Sequence, residues 1–143
     1  MRPAQTPVGL LLAQATRTIS RTFDEALAEA GGSLPVWLVL LAMKTRKLAS
    51  QRELADAVGI REATLTHHLN AMERTGLISR QRDPLNRRVH VVQLTATGDE
   101  MFLTLRAAAF GFDERLRNGI TDQEVADLRE LLGRLTANVA SAS

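Results

Sequence analysis

The 143-residue chain contains no cysteine. That excludes disulfides, thiolate metal sites and sensing of peroxide by thiol oxidation. Long apolar runs are missing too. The longest, "VWLVLLAM" at 36–43, has eight residues, against about 18–20 for a helix that spans a bilayer. The N-terminal "MRPAQTPVGLLLAQATR" holds one short apolar cluster without a small-residue cleavage site behind it, so no signal peptide is expected. Aromatic residues make up only 3% of the chain, with Trp37 the single tryptophan. No nucleophile sits beside a base, and there is no glycine-rich phosphate loop and no paired-carboxylate pattern. These absences predict a soluble, cytoplasmic protein that is not an enzyme, needs no cofactor and has no membrane partner.

What is present is a chain of one-domain size, 45% apolar and 24% charged, ordinary for a globular protein. Net charge is only +2, but it is unevenly placed. Between residues 61 and 90, Arg61, Arg74, Arg80, Arg82, Arg87 and Arg88 face only Glu62, Glu73 and Asp83. Between 113 and 130 the balance reverses, with three arginines against six acids. A basic middle suits a polyanionic partner, although a patchy solvated surface has the same composition.

Periodicity organises the chain into helices. Val8, Leu12, Ala15, Ile19, Phe23, Ala26 and Ala30 recur at spacings of three and four, predicting a helix over 7–30. "GGS" ends it, and Ser33 with Pro35 opens a helix over 34–46 that is apolar on every side, the pattern of a buried element. Ser50 and Glu53 form a capping box ahead of a short helix over 51–58, with Leu54, Ala55 and Val58 inward and Gly59 supplying a sharp turn. "REATLTHHLNAMERTG" at 61–76 is the next helix, with core face Leu65, Leu69 and Met72 and Gly76 as its stop. A helix, a tight glycine turn and a helix form the local grammar of a helix-turn-helix.

"LISRQR" (77–82) and "VHVVQL" (89–94) read as two strands joined by "DPLNRR", whose Pro84 and Asn86 are turn residues. Thr95 caps a further helix carrying Met101, Leu105, Ala108, Phe112 and Leu116. Thr121 and Glu124 box the last helix, striped by Val125, Leu128, Leu131, Leu132, Leu135 and Val139. The fold class expected is mainly α with a small β-hairpin (α+β). A winged helix-turn-helix occupies 34–95 within one domain over 1–143. The flanking helices, 7–30 and 96–141, carry longer apolar stripes than one small winged helix can cover. They suit a homodimer of intertwined termini, with Ile19, Phe23, Leu128 and Leu132 as interface candidates, or else a longer single-chain bundle.

If Leu65, Leu69 and Met72 point inward, the 100° step places Ala63, His67, Asn70 and Arg74 on the opposite face, flanked by Thr64 and Thr66. Hydroxyl and amide groups there suit base edges in a major groove, and Arg61 near the helix start suits a phosphate. Arg82, Arg87 and Arg88 on the hairpin suit the neighbouring minor groove, where a narrow groove concentrates negative potential.

Taken in order, "QRELADAVGI", "ATLTHHLNAMERTGLISRQRDP" and "NRRVHVVQLTATG" resemble the MarR family of bacterial transcription regulators. The resemblance runs from about residue 8 to the C-terminal helix and implies a homodimer with one winged helix per subunit. It implies binding to a pseudo-palindromic operator on double-stranded DNA, usually as a repressor released by a small ligand. By resemblance, Arg88 matches the family's wing-tip arginine and Asp83 the acid at the wing's base, with Arg87 a second basic residue beside it. The family usually carries Asp where this chain has Asn86, orienting the arginine. A neutral amide accepts that bond less strongly, predicting a looser wing. The resemblance implies an effector pocket near Trp37 and Phe23, with an aromatic acid as one candidate ligand, while both residues are equally at home in a plain core. His67 and His68 are adjacent, and His90 lies on a strand; none has the spacing of helical metal ligands, so no metal site is assigned. A metal-responsive regulator and a protein-binding winged helix stand as the alternatives.

Overall fold

A computed structural model describes residues 5–46, 50–88 and 90–140. The order of elements is α1 (Val8–Glu29), α2 (Leu34–Arg46), α3 (Gln51–Val58), α4 (Glu62–Arg74), β1 (Ile78–Arg82), β2 (His90–Leu94), α5 (Ala96–Leu116) and α6 (Asp122–Ala140). Val89 and Ser141, the expected first residue of the second strand and last residue of the terminal helix, lie outside the described residues. The chain divides into two compact units, Met1–Ala109 and Phe110–Ser143.

The first unit is a winged helix built on α2, and its caps are chemical. Ser33 Oγ accepts from Val36 N at 3.3 Å, and Ser50 Oγ accepts from Glu53 N at 3.1 Å while donating to Glu53 Oε1 at 3.0 Å. Gly59, at φ 78°, ends α3 in the left-handed region that only glycine enters freely, which lets α4 start three residues later, at Glu62. Leu65 and Leu69 on α4 are fully buried and Met72 nearly so, meeting Leu54 and Ala55 of α3 and Val39, Leu40 and Met43 of α2 in one core. Each fully buried leucine contributes about 1.5–3 kcal/mol.

β1 and β2 pair antiparallel, with Ile78 opposite Leu94 and Arg82 opposite His90. Ser50 bridges to Val91, so the start of α3 is sewn to the hairpin as well as to the core. Thr95 locks the exit from the hairpin. Its Oγ1 donates to the Gly76 carbonyl and accepts from Gly98 N at 3.0 Å, and its amide bonds Leu77 O at 3.1 Å. Gly98 has an ordinary helical backbone and is needed for a different reason. A Cβ there would lie 2.1 Å from Leu77 O, inside the contact distance of any real carbon.

Two stripes differ from the sequence reading. On α1 the fully buried residue is Leu27, not its neighbour Ala26; Phe23 and Ala30 pack against the core, whereas Val8 and Ile19 are exposed. On α5 the buried pair is Phe102 and Leu105, with Met101 only partly covered. A one-residue error turns the inferred face by 100°, enough to pick the wrong neighbour near the edge of a stripe.

In the second unit, Thr121 and Glu124 form the reciprocal box: Glu124 N donates to Thr121 Oγ1 at 3.1 Å and Thr121 N to Glu124 Oε1 at 3.0 Å. The Thr121 backbone amide, and after it the Thr121 side chain, hold the Glu124 carboxyl below its ordinary value. No residue of α6 is buried within the single chain. Leu128, Leu131, Leu132 and Leu135 remain between 38% and 52% exposed, and Val139 75%. Among the described residues, no single helix is long and apolar enough to cross a membrane.

Candidate nucleic-acid interface

The outer face of α4 carries the expected polar set. Thr64, His67, Asn70 and Arg74 are exposed, and Thr66 is half-buried. Arg61 is the residue before the helix, in extended conformation and without a side-chain cap bond, so its guanidinium is not consumed in holding the helix start. The inward and outward faces separate cleanly because Leu65, Leu69 and Met72 anchor the rotation of the helix.

Two residues of that face are tied down by their own neighbours. Thr66 Oγ1 donates to Glu62 O at 2.9 Å and accepts from Gln51 Nε2 at 3.3 Å, so its hydroxyl links α4 to α3. Asn70 Oδ1 accepts from Arg80 Nη2. Arg80, on β1, also donates to Glu73 at 3.2 and 3.4 Å and to Gln51 Oε1 at 3.5 Å. One guanidinium thus joins the strand to both helices of the helix-turn-helix. Its hydrogen bonds hold the Glu73 carboxyl below the usual carboxylate value. The sequence reading counted Arg80 only as part of the basic patch, because its partners at 51, 70 and 73 meet only in three dimensions. His67 and His68 rings lie edge to face at 5.6 Å. Among the described residues no three His, Asp or Glu side chains converge as metal ligands.

The wing is shaped by short side-chain turns. Asp83 Oδ1 accepts from Leu85 N at 2.8 Å, Asn86 N bonds Asp83 O at 3.2 Å, and Asn86 Oδ1 accepts from Arg88 N at 3.2 Å. Asn86 therefore holds the backbone of Arg88 rather than its guanidinium, a role an amide oxygen fills well. Arg82, Arg87 and Arg88 are exposed, and none is in an ion pair among the described residues. Arg88 lines one open groove of ≈ 470 Å³ together with Gln51, Arg52, Glu62 and Thr66. The tip of the wing and the first turns of α3 and α4 therefore border the same space.

The two residues expected near an effector sit in the core. Trp37 is 8% exposed and stacks on Phe102, with ring centroids 5.7 Å apart at 16°, and Phe23 packs against the same core. Lys44 covers the stack, its Nζ 5.6 Å from the Phe102 ring and 3.0 Å from Asp99 Oδ1. A mostly apolar cavity of ≈ 380 Å³ opens elsewhere, lined by Gly32, Ser33, Val36, Ala71, Thr75 and Met101 among others.

Comparison with known proteins places this geometry. Residues 33–90 match the model of the MarR family. The transcriptional regulator PA3341 is 32% identical, with a TM-score of 0.77 over 94% of this chain and 99% of that one. A mutant of MarR from E. coli complexed with operator DNA is 22% identical, with a TM-score of 0.81 over 90% and 93% of the two chains. CouR from Rhodococcus jostii RHA1, bound to p-coumaroyl-CoA, is 23% identical, with a TM-score of 0.76 over 94% and 95%. With the winged helix, the polar α4 face and the basic hairpin in place, the chain belongs to the MarR family of transcription regulators.

Proposed function

We propose that the protein is a sequence-specific repressor that binds a pseudo-palindromic operator as a homodimer and is released by a small ligand. One observation carries the DNA-binding part: Arg88 of the wing and Thr66 of α4 border a single groove. A duplex seated there offers its major groove to Thr64, Thr66, His67 and Asn70. Its phosphates lie within reach of Arg61, Arg74 and Arg82, and its minor groove faces Arg87 and Arg88. Asp83 and Asn86 act by fixing the wing's backbone. A protein-binding winged helix would not need three arginines on one hairpin that form no ion pair among the described residues.

The dimer part rests on the leucines of α6, which are left about half-exposed within one chain. Ile19, 38% exposed on α1, joins the candidates for the same interface. Response to a ligand rests on the coumaroyl-CoA complex of CouR and on the cavity beside Ser33 and Met101. Trp37, in the core, and Phe23, packed against it, remain candidates to report on such a site. An aromatic acid or its thioester is the ligand class to test first.

The test is enrichment of bound duplexes from a random library. An inverted repeat with steeply salt-dependent affinity supports the reading. Retention of every sequence alike, or of none, overturns it.

A further inference from the structure

Arg80 touches Asn70, Glu73 and Gln51 at once, and its side chain is only 17% exposed. It is committed to protein partners and poorly placed to meet a phosphate. Its consequence lies in Asn70. A side-chain amide ordinarily turns either its oxygen or its nitrogen outward, and so can accept from a base or donate to one. A guanidinium has donors only, so the end of Asn70 that faces Arg80 must be the oxygen. With its oxygen held toward Arg80, the exposed amide presents its Nδ2 hydrogens to a ligand.

Three further bonds hold this arrangement. Glu73 takes two donors of Arg80, in a charge-assisted pair that fixes the plane of the guanidinium. Gln51 takes a third with its oxygen, which turns its own nitrogen toward Thr66. The direction of each bond dictates the next, from β1 through α3 to α4.

We infer that Arg80 is a positioning residue for sequence readout: it latches the Asn70 amide as a donor, so the base read there must present an acceptor and cytosine's amino group is refused. This rests on the DNA-binding reading above. Guanine N7 and O6, adenine N7 and thymine O4 all accept in the major groove, whereas cytosine offers only its N4 hydrogens there. Without the latch, the amide can turn its oxygen outward and accept from cytosine.

The experiment uses duplexes enriched by the wild-type protein. The position whose preference disappears in Asn70→Ala is the one Asn70 reads. Affinity for all four bases at that position is then measured for wild type, Arg80→Met, Glu73→Gln and the Asn70→Ala/Arg80→Met pair. Wild type should refuse cytosine there by about 5- to 150-fold, the range of one base contact. Arg80→Met should reduce the refusal to about twofold at that position while the other positions keep their preferences. In the Asn70→Ala background the same change should alter nothing further there, which a purely structural role would not produce. Glu73→Gln leaves Arg80 and Asn70 in place and should weaken the refusal partway; it decides the matter if Arg80→Met does not fold. Refusal of cytosine that survives both variants, or a parallel loss at every position, overturns the inference and leaves the DNA-binding reading intact. If wild type enriches no sequence, the function proposed above falls and this inference with it.

Discussion

Replacing Arg87 and Arg88 together by alanine should separate binding from folding. Both side chains are exposed on a hairpin tip, and neither is in an ion pair among the described residues. Asn86 holds Arg88 through its backbone amide, which alanine retains. The substitution opens no cavity and strands no partner, so stability should stay within about 0.5 kcal/mol of wild type. Binding is different. Each neutralised phosphate contributes about 0.9 to the slope of log affinity against log salt, and a dimer loses four arginines, so the slope should fall by up to ~3.6. Across a fourfold rise in salt, from about 50 to about 200 mM, that difference is worth roughly two decades. The mutant's deficit should therefore shrink by up to ~100-fold over that range, and by less if Arg88 rests on the groove floor instead of a phosphate. Anisotropy titrations of a labelled operator at several salt concentrations, beside a thermal melt, measure both quantities. An unchanged slope with an unchanged melt would mean that the wing does not touch DNA.

The remaining predictions concern the frame around the interface. Gly98→Ala places a methyl 2.1 Å from Leu77 O, so α5 or the base of the wing must move; about 1–3 kcal/mol should be lost, seen as a melt lowered by several degrees. A melt equal to wild type would show that the two segments are looser than described. Glu73 has a folded-state pKa held below its free value by Arg80, so its stabilisation is complete above the unfolded value of about 4.3 and is lost as pH falls through the folded one. The melting difference between wild type and Glu73→Gln should thus be present near neutrality and shrink as pH falls through the lowered folded-state pKa; a difference constant with pH would contradict it. Leu128→Glu/Leu132→Glu removes four half-exposed leucines per dimer, at about 1 kcal/mol each, so dissociation should strengthen by about 10³-fold and sedimentation at micromolar concentration should show monomer. A dimer of wild-type affinity would place the interface elsewhere.

The faces of α3 and α4 were legible because one rigid period relates inward to outward residues, and Leu65, Leu69 and Met72 leave no ambiguity of phase. The capping residues Ser33, Ser50 and Thr121 were legible because their chemistry is local. Longer stripes blurred at their edges: Leu27 and Phe102 each adjoin an apolar residue one position away, and only the packing partner decides which turns inward. The function of Gly98 was hidden because it depends on Leu77, 21 residues earlier and just ahead of β1, and not on its own dihedrals. Arg80 was hidden for the same reason, since its partners come from two other elements, α3 and α4. Asn86 was read as a weakened support for an arginine side chain, whereas its oxygen serves the backbone two residues on.

In the binding mode proposed, two copies of α4 enter successive major grooves on one face of a duplex. Half-sites must then lie about one helical turn apart, roughly 34–36 Å. The direct measurement is affinity for the enriched operator with and without about five base pairs, half a turn, inserted between its half-sites. The insertion should abolish tight binding, because one recognition helix then faces away from its groove, and a full-turn insertion should restore part of it. Equal affinity for the intact and half-turn operators would contradict it.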